Sequence, residues 1–138
     1  MDVLFSIKPK YVEEILKGTK KYEFRRTIFK KSCSRALIYA TSPMKRIVAS
    51  FSIKQIFEDT PENLWMRFHE ESGISKEKFF KYFEKKEKGY AIKIDDLDEF
   101  EESFDPKEVN PSFRPPQSFY YVEPSTFFNG QLKNRTLI

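Results

Sequence analysis

The chain has 138 residues and is rich in aromatics, with 15 Phe and seven Tyr, but it has only one Cys and one His. This length predicts one domain, or one domain plus a tail, that buries about two-thirds of its unfolded surface and needs no disulfide or metal to fold. Cys33 alone excludes an internal disulfide and indicates a reducing compartment, and one histidine is too few for the usual His/Cys zinc sites. With no signal peptide and no apolar run near the roughly 18 residues of a membrane span, we expect a cytoplasmic protein without a membrane partner.

The charge is divided unevenly along the chain. The total is +4, but residues 1–54 carry 13 Lys/Arg against 4 Asp/Glu, a net +9, and residues 55–138 carry a net −5. A basic amino-terminal half favours a phosphate-rich partner, and a solvated lysine-rich face explains the same pattern equally well.

A strand, a short helix and a glycine stop are predicted at the start of the chain. Residues 3–7 form an apolar run typical of a buried strand, and Pro9 suits the first turn of a helix. The next apolar residues share one helix face, and Gly18 stands where a helix C-cap glycine belongs.

Three further strands are predicted before residue 60. Residues 21–25 alternate polar and aromatic side chains, and residues 35–40 form an apolar run that residues 41–43 end with a Ser-Pro turn. The segment between them, residues 26–34, is basic and predicts a loop. Apolar positions then alternate along residues 47–57, which predicts one long strand.

Two helices follow. Thr60 and Pro61 form a capped helix start, and Gly73 is predicted to end that helix. Ser75 can cap a second helix over residues 76–83, whose apolar stripe is formed by phenylalanines.

The last third predicts two strands separated by an extended connection. Residues 90–94 and 119–122 are typical of strands, and residues 95–102 predict an acidic, exposed strand end or loop. Four prolines indicate that residues 105–116 are extended. Residues 124–138 are polar with little periodicity, which predicts a tail.

Strands dominate this order and the turns are short. The pattern predicts an α+β fold, with a mixed, mainly antiparallel sheet curled into a partial barrel and helices covering its ends. The expected organisation is one domain at residues 1–123 and a C-terminal tail at residues 124–138.

Glu23 and Arg25 form the best candidate for chemistry. Two residues apart on a strand, their side chains project from one face, where a planar acceptor stands beside a planar multiple donor. Such a pair can bind the edge of a nucleobase or form a simple ion pair. Strict alternation places Lys21, rather than Lys20, on the same face.

Four residues of this region fit the pattern G-x-K-x-x-E-x-R: Gly18, Lys20, Glu23 and Arg25. Three more segments occur in the matching order, at residues 6–9, 39–43 and 116–119. Over residues 3–122 the chain therefore resembles the ASCH domain family of the PUA-like superfamily.

This resemblance implies a β-barrel-like fold of about six strands with flanking helices and a cleft lined by the motif residues. PUA-like domains mostly bind RNA or modified nucleotides, and some small bacterial ASCH proteins hydrolyse the acetyl amide of a modified cytidine. In those enzymes the motif lysine, here Lys20, is the proposed nucleophile or base, and a Thr stands where this chain has Glu23. The resemblance also favours Lys20 over Lys21, and Glu70 or Glu71 for a second family carboxylate.

The catalytic candidates are therefore Lys20, Glu23 and Glu71. The ligand-binding candidates are Ser6, Lys8, Lys20, Glu23, Arg25, Tyr39, Ser42, Gln117 and Ser118. Tyr39 either stacks on a base or packs in the core, and Ser42 and Ser118 either bind ligand or cap local turns. No metal or cofactor is expected.

Three functions remain open from the sequence. The first is an RNA- or nucleotide-binding module with a polar cleft for a nucleotide or modified base, with DNA as a further possible partner. The second is a small amidohydrolase acting on an acylated nucleoside such as N4-acetylcytidine. The third is a regulatory or interaction domain that does not use the pocket.

Overall fold

In a computed structural model, residues 1–127 form eight strands, three helices and several short helical turns. The helices are α1 (Pro9–Lys17), α2 (Pro61–Phe68) and α3 (Lys76–Tyr82). The strands are β1 (Asp2–Ile7), β2 (Tyr22–Arg25), β3 (Arg35–Ala40), β4 (Arg46–Ser52), β5 (Ile56–Asp59), β6 (Gly89–Lys93), β7 (Asp95–Phe104) and β8 (Phe119–Val122). Single helical turns occupy His69–Glu71, Pro106–Glu108 and Ser125–Phe127.

The strands are divided between two sheets. The larger sheet has the order β7-β4-β3-β1-β8, in which β1 and β3 are parallel and the other neighbours antiparallel. The smaller sheet has the antiparallel order β2-β6-β5. The α+β class and the mixed, mainly antiparallel pairing are thus confirmed, but eight strands are present instead of about six, and the sheets do not close into a barrel.

The predicted long strand at residues 47–57 is also wrong, because the chain changes sheets there. β4 ends at Ser52 and β5 begins at Ile56, in the smaller sheet. Ile53 donates a backbone hydrogen bond to Ser34, whereas Gln55 already accepts one from Lys93 of the other sheet. Apolar alternation continues through this corner, so the sequence pattern alone cannot reveal it.

Local capping confirms most of the helix predictions. Gly18 ends α1 with φ +86°, in the left-handed region that glycine adopts without strain. Thr60 accepts a hydrogen bond from the Asn63 amide at the start of α2, and Ser75 does the same for Lys78 in α3. The prediction for the end of α2 is wrong by five residues, since α2 ends at Phe68 and Gly73 follows a separate turn.

Three apolar clusters support the two sheets. On one face of the larger sheet, α1 packs over Phe5, Ile38 and Phe51. Phe104, Phe113 and Phe127 cover the other face. The smaller sheet packs against α2 and α3 through a third cluster formed by Phe24, Leu64, Phe68, Phe79, Phe83 and Ala91.

The carboxyl-terminal boundary predicted at residue 123 stays a prediction. Phe127 belongs to the predicted tail, and its side chain is buried against Phe104 and Phe113. Residues 128–138, the rest of that tail, lie outside the described residues. Among the residues that are described, no helix combines the length and apolarity needed to cross a membrane.

Candidate functional site

A cleft opens where α1, β2 and α3 meet. Its volume is about 530 Å³, within the range of clefts that bind small molecules. Four of the lining residues are Lys20, Glu23, Arg25 and Gln117. The remaining lining residues are Ser6, Ile7, Lys8, Lys10, Tyr11, Phe24, Ile74, Lys78, Phe79, Lys81 and Tyr82.

Glu23 and Arg25 form a buried ion pair in this cleft. An Arg25 Nη2 to Glu23 Oε2 distance of 2.7 Å joins them, and their side chains are only 7% and 9% exposed. The pair lies within a single strand because residues two apart in β2 project from the same face. Tyr22 and Phe24, on the other face, pack with α2 and α3 as alternation predicted.

Arg25 is held from several directions. Its Nη1 donates to the Ser118 hydroxyl at 3.1 Å and the Ser118 carbonyl at 3.3 Å, and its Nη2 donates to the Ser6 carbonyl at 3.2 Å. The guanidinium also lies 4.6 Å from the centre of the Phe5 ring, a favourable cation–π contact. Its Nε is buried and has no hydrogen-bond partner within residues 1–127.

Lys20 is the second buried charge, and it is only 4% exposed. Its ammonium donates to the Ser72 carbonyl at 2.8 Å and lies 4.9 Å from the Phe24 ring centre and 5.6 Å from that of Tyr11. Burial lowers the pKa of Lys20 to about 8; the Glu23 carboxylate opposes this change and the Arg25 charge adds to it. Lys20 therefore has a substantial neutral fraction just above neutral pH, as a general base or amine nucleophile requires.

Lys21 occupies a different environment. It is 56% exposed and pairs with Glu71 at 3.1 Å. Strict alternation, which favoured Lys21 beside Glu23, is therefore wrong at this end of the strand. β2 begins only at Tyr22, and the backbone before it is still leaving the α1 C-cap, where Thr19 and Lys20 both donate to the Glu14 carbonyl.

The other sequence candidates fall into two groups. Lys8 and Gln117 line the cleft, and Ser6 and Ser118 hold Arg25. Ser6 also donates its hydroxyl to the Pro116 carbonyl at 2.7 Å, so β1 and the segment before β8 together form this wall.

Tyr39, Ser42 and Glu71 are not among the residues that line the cleft. Tyr39 projects from the opposite face of the larger sheet and packs on Phe113 with ring centres 5.3 Å apart. Ser42 lies exposed in the turn after β3, and Glu71 pairs with Lys21. Their functional assignments remain predictions without a geometric connection to the cleft.

Three residues that shape the cleft were not predicted from the sequence. Ser72 supplies the carbonyl that binds Lys20, although it lies 52 residues away. Gly73, at φ +64°, packs so closely on Lys20 that a Cβ would lie 2.5 Å from the lysine Cβ. Tyr82 lines the α3 side of the cleft and also packs on Phe83, with ring centres 4.9 Å apart; its place beside the phenylalanine stripe favoured a core role over a site role.

Neither nucleophilic cysteine chemistry nor a metal cluster stands out. Cys33 is buried in the core beneath α1, and burial raises the pKa of its thiol. Within the described part of the chain, no three His, Cys, Asp or Glu residues lie in an arrangement suited to a metal ion.

Comparisons with known proteins agree with this architecture. A family model described as "Domain of unknown function (DUF365)" matches residues 1–112. The ASCH domain-containing ribonuclease of Zymomonas mobilis is 32% identical over 130 residues, which cover 88% of this chain and 84% of that protein.

Solved structures extend the similarity to the fold. The crystal structure of ASCH from Zymomonas mobilis superimposes with a TM-score of 0.83 at 29% identity, covering 91% of this chain and 90% of that one. A mutant of the same protein gives 0.84 at 28% identity, covering 93% and 94%. The N-terminal domain of Staphylothermus marinus McrB, with a TM-score of 0.57 and 11% identity over 91% and 90% of the two chains, shares the fold alone. The chain therefore belongs to the DUF365 family, and its domain is an ASCH domain, as the motif resemblance predicted.

Proposed function

We propose that this chain is an RNA-binding ASCH module that holds one nucleoside of its ligand in the cleft of Lys20, Glu23 and Arg25. The observation that carries the proposal is the buried Glu23–Arg25 pair with Lys20 beside it in an open cleft of about 530 Å³. Burying three charges costs free energy that a well-packed apolar wall would not. A bound ligand with complementary polar groups would offset that cost.

Two kinds of lining residue suit the base of a nucleoside. Glu23 offers an acceptor for an exocyclic amine of a base, such as N4 of cytosine. Tyr11 and Tyr82 line the cleft and offer ring faces for stacking. Arg25 uses Nη1 and Nη2 on protein acceptors and so serves chiefly to orient Glu23.

The similarity to a protein named a ribonuclease supports RNA as the ligand. It also supports a second candidate function, cleavage of the bound RNA. The observation that favours it is the place of Lys20 in the cleft together with its lowered pKa of about 8, and in this function Lys20 would be the base for a ribose hydroxyl. The same lysine would serve deacetylation of N4-acetylcytidine, but Glu23 occupies the place of the hydroxyl that the resemblance implies for that reaction.

The test is fluorescence anisotropy with labelled single-stranded RNA octamers at increasing salt concentrations. We expect binding that weakens as salt rises, because phosphate contacts release counterions. Glu23→Gln should lower the affinity about fivefold or more, since a specific base contact contributes on the order of 1–3 kcal/mol. Asp2→Asn is the matched control, because Asp2 forms a similar pair with Arg35 and does not line the cleft.

Mass spectrometry of the same tubes, with N4-acetylcytidine included, separates the alternatives. RNA fragments that disappear in Lys20→Met would establish the nuclease, and released acetate would establish the amidohydrolase. Affinity that ignores salt, or no RNA binding, would overturn the proposal. If Glu23→Gln changed only stability, the interaction-domain hypothesis would replace it.

A further inference from the structure

The mouth of the cleft carries a set of lysines outside the motif. Lys8 and Lys10 flank the start of α1, and Lys78 and Lys81 lie on α3; all four are exposed and line the cleft. Among the described residues that line the cleft, Glu23 is the one acidic residue, and it is already paired with Arg25. The opening is therefore strongly positive.

These charges are poorly compensated by the protein. Lys81 approaches Glu84 at 3.9 Å, but Lys8, Lys10 and Lys78 form no ion pair within the described residues. Lys10 on α1 and Lys78 on α3 line the same opening, and the interaction with the neighbouring Lys78 amine, together with its positive charge, lowers the pKa of Lys10. An anion bound between these two lysines would relieve the repulsion of their positive charges.

The surrounding backbone and the floor of the cleft add to this field. Lys8 is the N-cap of α1 but makes no side-chain capping bond, and the first turn contains no acidic residue. The positive end of the helix dipole therefore adds to the lysine charges. Deeper in the same cleft, Arg25 retains a buried Nε–H without a partner among residues 1–127.

We propose that Lys8, Lys10 and Lys78 form a phosphate subsite at the mouth of the cleft, so that the preferred ligand is a phosphorylated nucleotide rather than a free nucleoside. The base enters towards Glu23 and Lys20, and the phosphate remains at the solvent-exposed lysines. This inference rests on the proposed function and specifies its ligand class. It favours an RNA segment over a free modified nucleoside.

Isothermal titration tests the subsite with the full-length chain at low ionic strength. The probes are the four ribonucleosides, their 3′- and 5′-monophosphates, and inorganic phosphate. The variant is Lys10→Gln/Lys78→Gln, and the control is Lys86→Gln/Lys107→Gln, which removes the same charge from exposed lysines outside the cleft lining. Thermal unfolding of each protein checks that all are folded.

In the wild type and the control, one monophosphate should bind about tenfold more tightly than its nucleoside, as expected for two ammonium–phosphate contacts. In Lys10→Gln/Lys78→Gln this ratio should fall to about two, because Lys8 is the one remaining member of the proposed subsite. Equal wild-type affinities for nucleoside and monophosphate, or a ratio that survives in the variant, would overturn the subsite and leave the proposed function standing. Inorganic phosphate binding as tightly as the monophosphate would also overturn it, since the anion would then bind independently of the cleft. No binding by any nucleoside, monophosphate or RNA octamer would overturn the proposed function together with the subsite.

Discussion

Two carboxylate–arginine pairs within residues 1–127 have different surroundings. Asp2 and Arg35 face each other on the neighbouring strands β1 and β3, and Nε and Nη2 of the arginine both donate to one carboxylate oxygen, at 3.2 and 2.8 Å. The Arg35 side chain remains 37% exposed. Glu23 and Arg25 lie on one strand, with both side chains buried, in the wall of the cleft.

This difference is the one expected between a structural brace and the proposed binding site. Asp2–Arg35 joins two strands, and its half-exposed arginine keeps much of its hydration. Arg25 instead spreads its donors over Glu23, Ser6 and Ser118 and leaves Nε–H without a partner among the described residues. A buried pair contributes little net stability compared with apolar residues of the same shape, but breaking it is costly. The burial of the cleft pair therefore fits the proposed role in ligand recognition better than a role in stability.

Removing one carboxylate charge from each pair is the strongest test of this contrast. Glu23→Gln leaves the buried Arg25 without its counter-ion and should lower the free energy of unfolding by about 3 kcal/mol. Asp2→Asn removes the negative charge beside Arg35, whose side chain is partly hydrated. It should lower the free energy of unfolding by about 1 kcal/mol. Urea unfolding at neutral pH measures both.

A third variant distinguishes the lost charge from lost packing. Glu23→Leu/Arg25→Met removes the pair together and should recover much of the stability lost in Glu23→Gln, while RNA binding stays weakened. Equal costs for Glu23→Gln and Asp2→Asn would show that the cleft pair is as well hydrated as the brace.

The cleft pair also has a neighbour, Lys20, which can be displaced without touching either charge. Gly73→Ala places a Cβ 2.5 Å from the Lys20 Cβ at a backbone φ of +64°. The strain and the forced shift of Lys20 should cost about 2 kcal/mol and weaken RNA binding. Gly18→Ala is the control: its φ is +86°, but its Cβ would meet no atom within 4 Å, so only the conformational cost of about 1 kcal/mol is expected.

Thermal unfolding and anisotropy report the two effects separately. If Gly73→Ala and Gly18→Ala unfold alike and bind RNA alike, then the loop at Gly73 does not position Lys20.

The local order of the chain was largely predictable, because it depends on short-range patterns. The Thr60 and Ser75 caps, the Gly18 stop and the side-chain alternation of β2 are confirmed. The long-range arrangement of the chain was not predictable from the sequence. Nothing near Lys20 reveals that the Ser72 carbonyl binds it from a turn 52 residues later.

Tyr39 shows a second limit of sequence reasoning. Five consecutive residues of β3, from Ala36 to Ala40, are buried, so both faces of the strand are apolar. Alternation then predicts that Tyr39 and Ile38 project from opposite faces of β3, but it does not predict which face lies nearer the cleft. The division into two sheets was missed for a related reason, since the apolar period continues through the corner after Ser52.

The smallest expected effect tests whether Lys20 can act as a base. The pKa of Lys20 is lowered from 10.5 to about 8 in the folded protein. Between these values the unfolded chain binds more protons than the folded one, so stability must rise with pH through this window. From pH 7 to 9 this contribution is about 1 kcal/mol. Urea unfolding at both pH values should therefore show a larger increase in the wild type than in Lys20→Met, and Lys21→Met, at the exposed neighbour, should follow the wild type. Parallel behaviour of the wild type and Lys20→Met would mean that Lys20 stays protonated in this range, and the cleft would then retain a binding role but lose its candidate base.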